Sequence, residues 1–395
     1  MQLKDVATVK GGKRLPKSDT LVGVKTNHPY IRIRDMYQSY PLEINDKFEY
    51  ITEDTHQKIK QYIVEEGDVI IAVVGNTIGL VSLIGKSLNG ANLTENCDKI
   101  VNLHNYDNRF LYYFLKSQEG QDEIRKGIVG SSQPKLPIYN IERFEIPDIS
   151  IDIQMKIVEI IEGIDKKIKT NEEINKNLEQ QAQAYFNELF VVNAVPTWSE
   201  CTLSDIGTIV AGGTPSKSKP EYYAKQGIAW ITPKDLAVDK SKFISRGAND
   251  ISELGFSKSS ATKMSAGTVL FSSRAPIGYI AIAQNEVTTN QGFKSVVPNE
   301  AIGTAYVYFL LKNLLPTIEG MASGSTFKEI SGTGMKSVPT IMPDMNTIQR
   351  FNNFCEPIFK EQEVLEAENH RLSTLRDSLL PKLMSGELDV TDIAL

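Results

Sequence analysis

The chain of 395 residues has 41% hydrophobic and 23% charged side chains, a composition typical of a soluble protein with two to four folded domains. No run approaches 18 apolar residues and no signal peptide is recognisable, so we predict a cytoplasmic protein without a membrane span. The three cysteines and four histidines lie far apart, which argues against a disulfide framework and against a metal site. The formal charge of −6 is concentrated in residues 151–200 and 343–395, whereas residues 201–342 carry a net positive charge.

Two basic segments lie near the start of the chain. Gly11–Ser18 (GGKRLPKS) combines glycine, hydroxyl and basic groups, and Ile31–Asp35 (IRIRD) places two arginines at or near a predicted strand end. Such groups contact the phosphates of a nucleic-acid backbone, and arginine is also the commonest reader of guanine. The alternative is a solvated turn and a surface strand with alternating charge. The glycine-rich loop is not a nucleotide-binding phosphate loop, because the required spacing and Lys-Ser/Thr ending are absent.

The next predicted elements are a β-hairpin and a helix. Asp68–Val73 and Ile78–Ile84 are β-branched runs separated by Gly75-Asn76, which predicts a hairpin. Apolar spacing over Asp107–Gln118 predicts a helix. The loop Gly130–Lys135 (GSSQPK) again combines glycine, hydroxyl groups and lysine. Together these elements predict a mixed α/β module with several short strands.

A long amphipathic helix is predicted after this module. Alternating steps of four and three from Ile157 to Leu189 follow a seam of mostly apolar positions, the pattern of a coiled coil. Ile146-Pro147-Asp148 precedes the seam, where proline ends the previous element and Asp148 is placed to help cap the helix. We predict a bend at Gly163 that divides the segment into a short and a long helix. Since a lone helix would expose the seam to water, the seam requires a partner.

The second half of the chain repeats the first at an offset that begins at 200 residues and falls to 194. The second copies are Gly212–Lys219 (GGTPSKSK), Ile231–Asp235 (ITPKD), the hairpin Val269–Phe271 with Tyr279–Ala283 broken at Ala275-Pro276, the helix Ala301–Asn313, the loop Gly324–Lys328 (GSTFK), the helix start Met342-Pro343-Asp344 and the seam Phe351–Leu383. Small insertions in loops account for the drift in offset. One module followed by one helix is therefore present twice.

The two seams are predicted to pack on each other as an antiparallel coiled coil about a pseudo-twofold axis. Pairing Ile157 with Leu383 sets Asn171 opposite Asn369, a buried polar pair that fixes the register at some cost in stability. Pro357 is the counterpart of Gly163, so the same bend is predicted there. The seam positions assigned to this spacer are Ile164, Ile168, Asn171, Asn175, Leu178, Tyr185, Leu365, Asn369, Leu372 and Leu379. The predicted fold class is α+β, a tandem pseudo-twofold duplication of a mixed α/β module plus a long helix.

Nucleic-acid contacts are predicted at the polar and basic positions of the paired loops. Each residue alone is a weak signal, but equivalent placement in two copies favours binding over plain solvated loops. In the first copy the candidates are Lys13, Arg14, Lys17, Arg32, Arg34, Asn76, Thr77, Ser131, Ser132, Gln133 and Lys135. In the second copy they are Thr214, Ser216, Lys217, Lys219, Thr232, Lys234, Ser272, Ser273, Arg274, Ser325, Thr326 and Lys328.

Signatures of catalysis are largely missing from the chain. No dinucleotide-binding glycine motif follows a strand, and we find no nucleophile elbow or metalloprotease helix. The short aromatic motif of adenine methyltransferases, Asn or Asp followed by Pro-Pro and Phe or Tyr, is also absent. Three hypotheses remain: a non-catalytic DNA-binding subunit, a coiled-coil adaptor that binds only protein, and a stand-alone nuclease whose carboxylates are unrecognised.

Over nearly its whole length, the chain resembles the specificity subunit of type I restriction–modification systems. The segments that carry the likeness are Pro147–Val158 with Gln154, Pro343–Phe354 with Gln349, and the closing segment Leu379–Leu388 (LLPKLMSGEL). In the first two, the family favours proline followed by a helix start that contains glutamine. The glutamate that usually precedes this glutamine is replaced by Ile153 and Ile348, a modest departure.

The resemblance implies two target-recognition domains, each reading one half of a bipartite, asymmetric site in double-stranded DNA. It also implies that two adenine-N6 methyltransferase subunits dock on the helical spacer and that restriction subunits join the complex. S-adenosylmethionine then belongs to the methyltransferase partner, and ATP and magnesium belong to the restriction partner. This chain has no cofactor of its own and is not an enzyme in that interpretation. We place the recognition domains at residues 1–148 and 191–342, the spacers at 149–190 and 343–386, and a tail at 387–395.

Overall fold

The computed structural model describes residues 1–37, 40–324 and 328–390, which form two compact units. The first unit contains Met1–Lys167 and the segment from Arg371 onward, and the second contains Ile168–His370. Each unit therefore combines one globular module with parts of both long helices. None of the helices in these described ranges combines the length and apolar character needed to span a membrane.

The first module is a mixed α/β fold built on a four-stranded antiparallel sheet. Its strands are β1 Thr8–Gly11, β2 Tyr30–Ile31, β3 Val69–Ala72, β4 Val81–Leu83, β5 Asn92–Leu93 and β6 Cys97–Val101. Its helices are α1 Glu53–Ile59, α2 Asn108–Lys116, α3 Gln118–Gly127 and α4 Ile138–Ile141, and the long helix α5 Ile151–Asn187 follows. The sheet order is β1-β6-β3-β4, and β2 pairs with β5 in parallel.

The second module contains the same sheet with additional strands. Its strands are β7 Ser199–Thr202, β8 Gly207–Ala211, β9 Tyr223–Ala224, β10 Ile228–Ile231, β11 Phe243–Ile244, β12 Asn249–Ile251, β13 Val269–Ser273, β14 Ile277–Ala283, β15 Thr288–Thr289, β16 Lys294–Pro298 and β17 Pro339–Met342. Its helices are α6 Leu203–Ile206, α7 Pro233–Val238, α8 Glu253–Ser257, α9 Thr304–Met321 and α10 Gly332–Lys336, followed by the long helix α11 Met345–Met384.

The strand pairings confirm the internal duplication. The order β8-β16-β13-β14 in the second module corresponds to β1-β6-β3-β4 in the first, and the parallel pair β10-β15 corresponds to β2-β5. Both predicted hairpins are present, as β3-β4 and β13-β14. Both predicted module helices are present as α2 and α9, although α9 continues to Met321, eight residues beyond the predicted end.

The heptad seams are buried as predicted. Every position of both seams, all within the described residues, is buried or half-buried. In the first unit, Ile157 and Ile161 of α5 join the same core as Leu383 of α11. In the second unit, Ala182 near the end of α5 joins the core of Phe351 near the start of α11. The early part of each helix thus shares a core with the late part of the other, so the pair is antiparallel.

The asparagine pair confirms the predicted register. The side-chain N–H of Asn171 donates to the Asn369 side-chain oxygen at 2.8 Å and to Glu368 at 2.7 Å. Asn171 is fully buried. Because an unpaired amide would be costly at this depth, sliding one helix along the other by a turn is disfavoured.

The predicted division of each long helix is wrong. Helix α5 passes through Gly163 without interruption, and α11 passes through Pro357. Both residues lie on the exposed face, while the seam positions around them are buried. Packing of a long apolar face therefore outweighs the local cost of glycine or proline, about 1 and 3 kcal/mol respectively.

The two helix starts differ from each other. Asp344 caps α11 as predicted, since its carboxylate accepts a hydrogen bond from the Thr347 N–H at 2.9 Å. Helix α5 begins at Ile151, so Asp148 lies outside its first turn. The predicted capping role is therefore confirmed only in the second copy.

Candidate nucleic-acid interface

One end of the main sheet gathers the predicted DNA-binding loops of the first module. Strands β1 and β3 both end where β6 begins, at Asp98 and Cys97. The Gly75 N–H at the hairpin tip donates to the Pro134 carbonyl at 3.1 Å. The glycine-rich loop, the hairpin tip and the loop around Pro134 therefore leave the same end of the sheet.

The second module repeats this arrangement. Strand β8 ends opposite Lys294, the first residue of β16. Strand β13 ends at Ser273, whose N–H donates to the Gly292 carbonyl at 2.7 Å and whose own carbonyl accepts from the Ile330 N–H at 3.1 Å. The folds therefore present loops at equivalent ends of equivalent sheets.

An aromatic residue fastens the glycine-rich loop in each module. The Tyr30 hydroxyl and the Trp230 indole N–H, 200 positions apart, each donate to a main-chain carbonyl of the loop, at 2.8 and 2.9 Å. A Cβ atom at Gly12 or at Gly212 would lie 2.0 or 1.9 Å from a main-chain oxygen. Only glycine permits this close approach.

The three candidate arginines of the first module are paired with acidic residues. Arg14 donates to Glu95 at 2.6 Å, and this hydrogen bond raises the pKa of the guanidinium. Arg32 and Arg34 both pair with Glu49, with an Arg34–Glu49 distance of 2.7 Å. The exposed candidates of this module are Lys13, Arg14, Lys17, Arg34, Asn76, Ser131, Ser132, Gln133 and Lys135. Glu95 and Glu49 therefore occupy the guanidinium groups that were predicted to contact DNA, and any phosphate would have to compete with them.

Two threonines among the candidates have local structural partners. The Thr77 hydroxyl donates to the Val74 carbonyl at 2.9 Å, and Thr232 bonds the Asp235 carboxylate at 2.7 Å at the start of α7. The exposed candidates of the second module are Ser216, Lys217, Lys219, Lys234 and Lys328, and Thr214 is half-buried. The predicted residues Ser325 and Thr326 lie outside the described residues.

The predicted placement of Ser272 and Ser273 at the hairpin tip is wrong. Both belong to β13 and are fully buried. The Ser272 hydroxyl donates to the Pro276 carbonyl at 2.8 Å, and that of Ser273 donates to Gly292 at 3.1 Å. These hydroxyls are therefore occupied by main-chain acceptors. Of the three predicted residues, only Arg274 lies near the surface, where it pairs with Glu329 at 3.1 Å.

Two further candidates emerge only from the structure. Tyr37 is 65% exposed and borders an open cavity of about 480 Å³ that Asn76 and Lys116 also line. Arg246 borders a cavity of about 320 Å³ shared with Lys234. An exposed aromatic ring and a cation beside predicted contact residues suit nucleic-acid binding. The internal repeat does not reveal Arg246, because the equivalent position of the first module, two residues after Leu42, is Ile44.

Acidic and basic residues exchange places between the modules at equivalent positions beside the loops. Gly11 pairs with Asp98 in the first sheet, and Ala211 pairs with Lys294 in the second. In module two, Lys294 lies 3.6 Å from Glu329. Glu329 forms main-chain β-bridges with Arg274 and Ser323. The residue that forms the equivalent β-bridges in the first module is Lys135. The two sheet ends therefore have the same strand pairing but a different distribution of acidic and basic side chains.

Burial raises the pKa of the Asp98 carboxyl to about 7. Because the folded chain then holds this proton more tightly than the unfolded chain, the contribution of Asp98 to stability falls as the pH rises from about 4 to about 7. We expect Asp98→Asn to raise the free energy of unfolding by about 2 kcal/mol at about pH 8, and by less than half of that at about pH 5. Denaturant titrations at both pH values test this, with Asp46→Asn at an exposed position as the control. An equal gain at both pH values would contradict it.

Comparison with known proteins identifies the family. A model described as the type I restriction modification DNA specificity domain matches residues 1–180 and again residues 196–369. The chain belongs to this family. As a type I DNA specificity subunit, it is non-catalytic, and the family carries no cofactor of its own. Membership also implies a type I complex with methyltransferase subunits, restriction subunits and DNA.

Two curated relatives support the assignment. The type I restriction enzyme MjaIX specificity subunit of Methanocaldococcus jannaschii is 36% identical over 190 residues, 46% of this chain and 44% of that protein. The type I restriction enzyme HindI specificity subunit of Haemophilus influenzae is 25% identical over 357 residues, 71% of this chain and 77% of that protein. The first match thus spans less than half of the relative, and the second spans more than three quarters.

A solved structure shares the fold of this specificity subunit. The crystal structure of a type I restriction–modification S subunit from M. genitalium superposes with a TM-score of 0.61 at 17% identity, over 99% of this chain and 96% of that one. The predicted fold class, with two specificity domains and two long helices in contact, is therefore confirmed.

Proposed function

We propose that each globular module reads one half of a bipartite, asymmetric site in double-stranded DNA, and that the paired helices dock two adenine-N6 methyltransferase subunits. The recognition domains are residues 1–148 and 191–342, the spacers are residues 149–190 and 343–386, and a tail occupies residues 387–395. The observation that carries the proposal is the repeated sheet end, which has equivalent loops but different side chains. A shared backbone suits one docking geometry, and different side chains suit different base sequences.

The charge reversal between the modules supports an asymmetric target. Asp98 and Lys135 of the first module correspond to Lys294 and Glu329 of the second. Lys135 is exposed and Glu329 is half-buried, and an acidic side chain accepts hydrogen bonds from cytosine whereas a basic one donates to guanine or to phosphate. Asp98 and Lys294 are buried and contact no base in this proposal. Two identical half-sites would not suit both surfaces.

The acidity of the helical segments supports protein docking on the spacer. Residues 151–200 contain nine acidic and five basic side chains, and residues 343–395 contain ten and five. Exposed carboxylates such as Glu172, Glu173 and Glu361 repel DNA and attract a basic protein surface. The 37 residues of α5 span about 55 Å at about 1.5 Å per residue. This length corresponds to about 16 base pairs at about 3.4 Å each, more than one DNA turn.

The chemistry then belongs to the partners. The methyltransferase subunits bring S-adenosylmethionine and methylate adenine N6, and the restriction subunits bring ATP and magnesium. This chain contributes the choice of site and the spacing between the two reading surfaces.

Salt-dependent DNA binding by the assembled methyltransferase tests the proposal. Lys17 is exposed in the glycine-rich loop, whereas Lys4 is exposed at the opposite end of β1. We expect Lys17→Ala to weaken binding equally for all sequences and to reduce the slope of log affinity against log salt by about one. Lys4→Ala should leave the slope unchanged. An assembled complex that shows no preference for any DNA sequence would contradict the proposal.

A further inference from the structure

A buried lysine joins the second module to both long helices. Lys242 immediately precedes β11, and its side chain is only 6% exposed. Its ammonium group pairs with Glu179 of α5 and donates to the Gln362 side-chain oxygen of α11 at 2.5 Å. Lysine is rarely buried without such partners. One cation of the module thus contacts both helices of its unit.

Aromatic rings enclose the same ammonium group. The Lys242 nitrogen lies 4.2 Å from the centre of the Phe359 ring, 4.9 Å from Tyr308 and 5.6 Å from Phe309. Cation–π attraction is strongest at such desolvated sites. The Glu366 carboxylate accepts hydrogen bonds from the main-chain N–H groups of Lys242 and Phe243, at 2.8 and 3.1 Å. The side chain and the main chain of this segment are therefore both fixed to α11.

The first module has Tyr40 at the equivalent position. The equivalence follows from a parallel β-bridge to the last residue of each hairpin, which Leu42 forms in the first module and Ile244 in the second. Tyr40 lies two residues before Leu42, and Lys242 lies two residues before Ile244. The Tyr40 ring stacks on Tyr112 with centroids 4.6 Å apart. Its hydroxyl donates to Glu162 of α5 at 2.7 Å. We call Tyr40 and Lys242 the anchor residues.

The two anchor residues make the same pattern of contacts, although one side chain is a phenol and the other an ammonium group. Each contacts a carboxylate of α5 that a basic side chain from a helix of the module also contacts. Arg109 of α2 lies 3.1 Å from Glu162, and Lys312 of α9 pairs with Glu179. The duplication has therefore kept the attachment while exchanging a phenol for an ammonium group.

We propose that Lys242 is a positioning residue that sets the orientation of the second recognition module on its helices, and thereby the spacing between the two half-sites that the subunit accepts. This inference rests on the proposed bipartite reading. Lys242 itself contacts no DNA in this account, because it lies inside the module–helix junction. Its removal loosens the module without altering the loops at the sheet end, so base choice within the half-site is retained.

Lys242→Met removes the ammonium contacts that orient the second module and is expected to leave the module folded. Methionine has a similar length and suits an aromatic environment. Glu179 keeps its pairing with Lys312, so no buried carboxylate is left alone. Lys240→Met is the matched control, since Lys240 is exposed two residues earlier. If Lys242→Met does not fold, Glu179→Gln probes the same junction with the side-chain volume kept.

The experiment measures methylation by the assembled complex of duplexes whose half-sites have the native separation, one base pair more or one base pair fewer. We expect Lys242→Met to lower the preference for native spacing by about tenfold, with unchanged base preference in each half-site. A merely structural role would lower methylation equally at all separations. An unchanged spacing preference in Lys242→Met, or in Glu179→Gln if that variant is needed, would overturn the inference. A wild-type complex without a split target would instead overturn the proposed function itself.

Discussion

Phe351→Ala is expected to lower the free energy of unfolding of the second unit by about 4 kcal/mol. Phe351 is fully buried at the start of the second seam. Its ring centre lies 5.5 Å from those of Phe186 and Phe190 and 5.7 Å from that of Phe309. These rings come from both long helices and from the module, so truncation leaves a cavity where all three meet. Denaturant unfolding followed by tryptophan fluorescence measures the loss, since Trp230 is buried in this unit.

Phe354→Ala is the matched control for this prediction. Phe354 lies one turn further along α11 and is 39% exposed, although its ring contacts Tyr185 with centroids 4.5 Å apart. Its truncation should cost about 1 kcal/mol, because water already reaches much of the ring. Equal losses for the two variants would show that the cluster around Phe351 does not hold the seam to the module.

Replacing Arg32 and Arg34 together by alanine is expected to weaken specific DNA binding by the assembled complex by about 100-fold. Both guanidinium groups sit beside the end of β2 and share the carboxylate of Glu49. Arginine contributes a bidentate donor pair to guanine or to phosphate, and the double variant removes two such groups. Competition binding with the cognate duplex and a scrambled duplex measures the loss.

Glu49→Gln provides the opposite change at the same site. It removes the carboxylate that occupies both arginines while keeping the side-chain size. We expect tighter binding to the scrambled duplex, because the freed cations gain phosphate contacts without gaining base contacts. If the double alanine variant bound the cognate duplex as tightly as the wild-type chain, Arg32 and Arg34 would not belong to the interface.

The duplication and the helix pairing were predictable because they depend on periodic patterns. Repeats at a nearly constant offset and a heptad seam are visible in one sequence, and pairing Ile157 with Leu383 was enough to set Asn171 opposite Asn369. Helix continuity was not predictable from local propensity. Pro357 and Gly163 favour a break locally, but the apolar seams on either side remain packed, and tertiary packing supplies most helix stability.

The candidate nucleic-acid interface was less predictable, because it depends on how deeply each side chain is buried and on which residues it pairs with. Ser272 and Ser273 look like tip residues in the sequence, yet both are buried and their hydroxyls donate to main-chain carbonyls. Lys242 resembles an ordinary surface lysine, because nothing local shows that Glu179 and Gln362 will surround it. Tertiary packing decides both outcomes, and the partners of Lys242 lie 63 and 120 positions away from it in the sequence.

Methylome sequencing of cells with and without this chain tests directly whether the chain selects the DNA site. We expect an N6-methyladenine motif split into two unlike halves that disappears when the chain is deleted and returns when the wild-type chain is restored. A methylome that stays unchanged on deletion would contradict the assignment of this chain as the subunit that selects the DNA site.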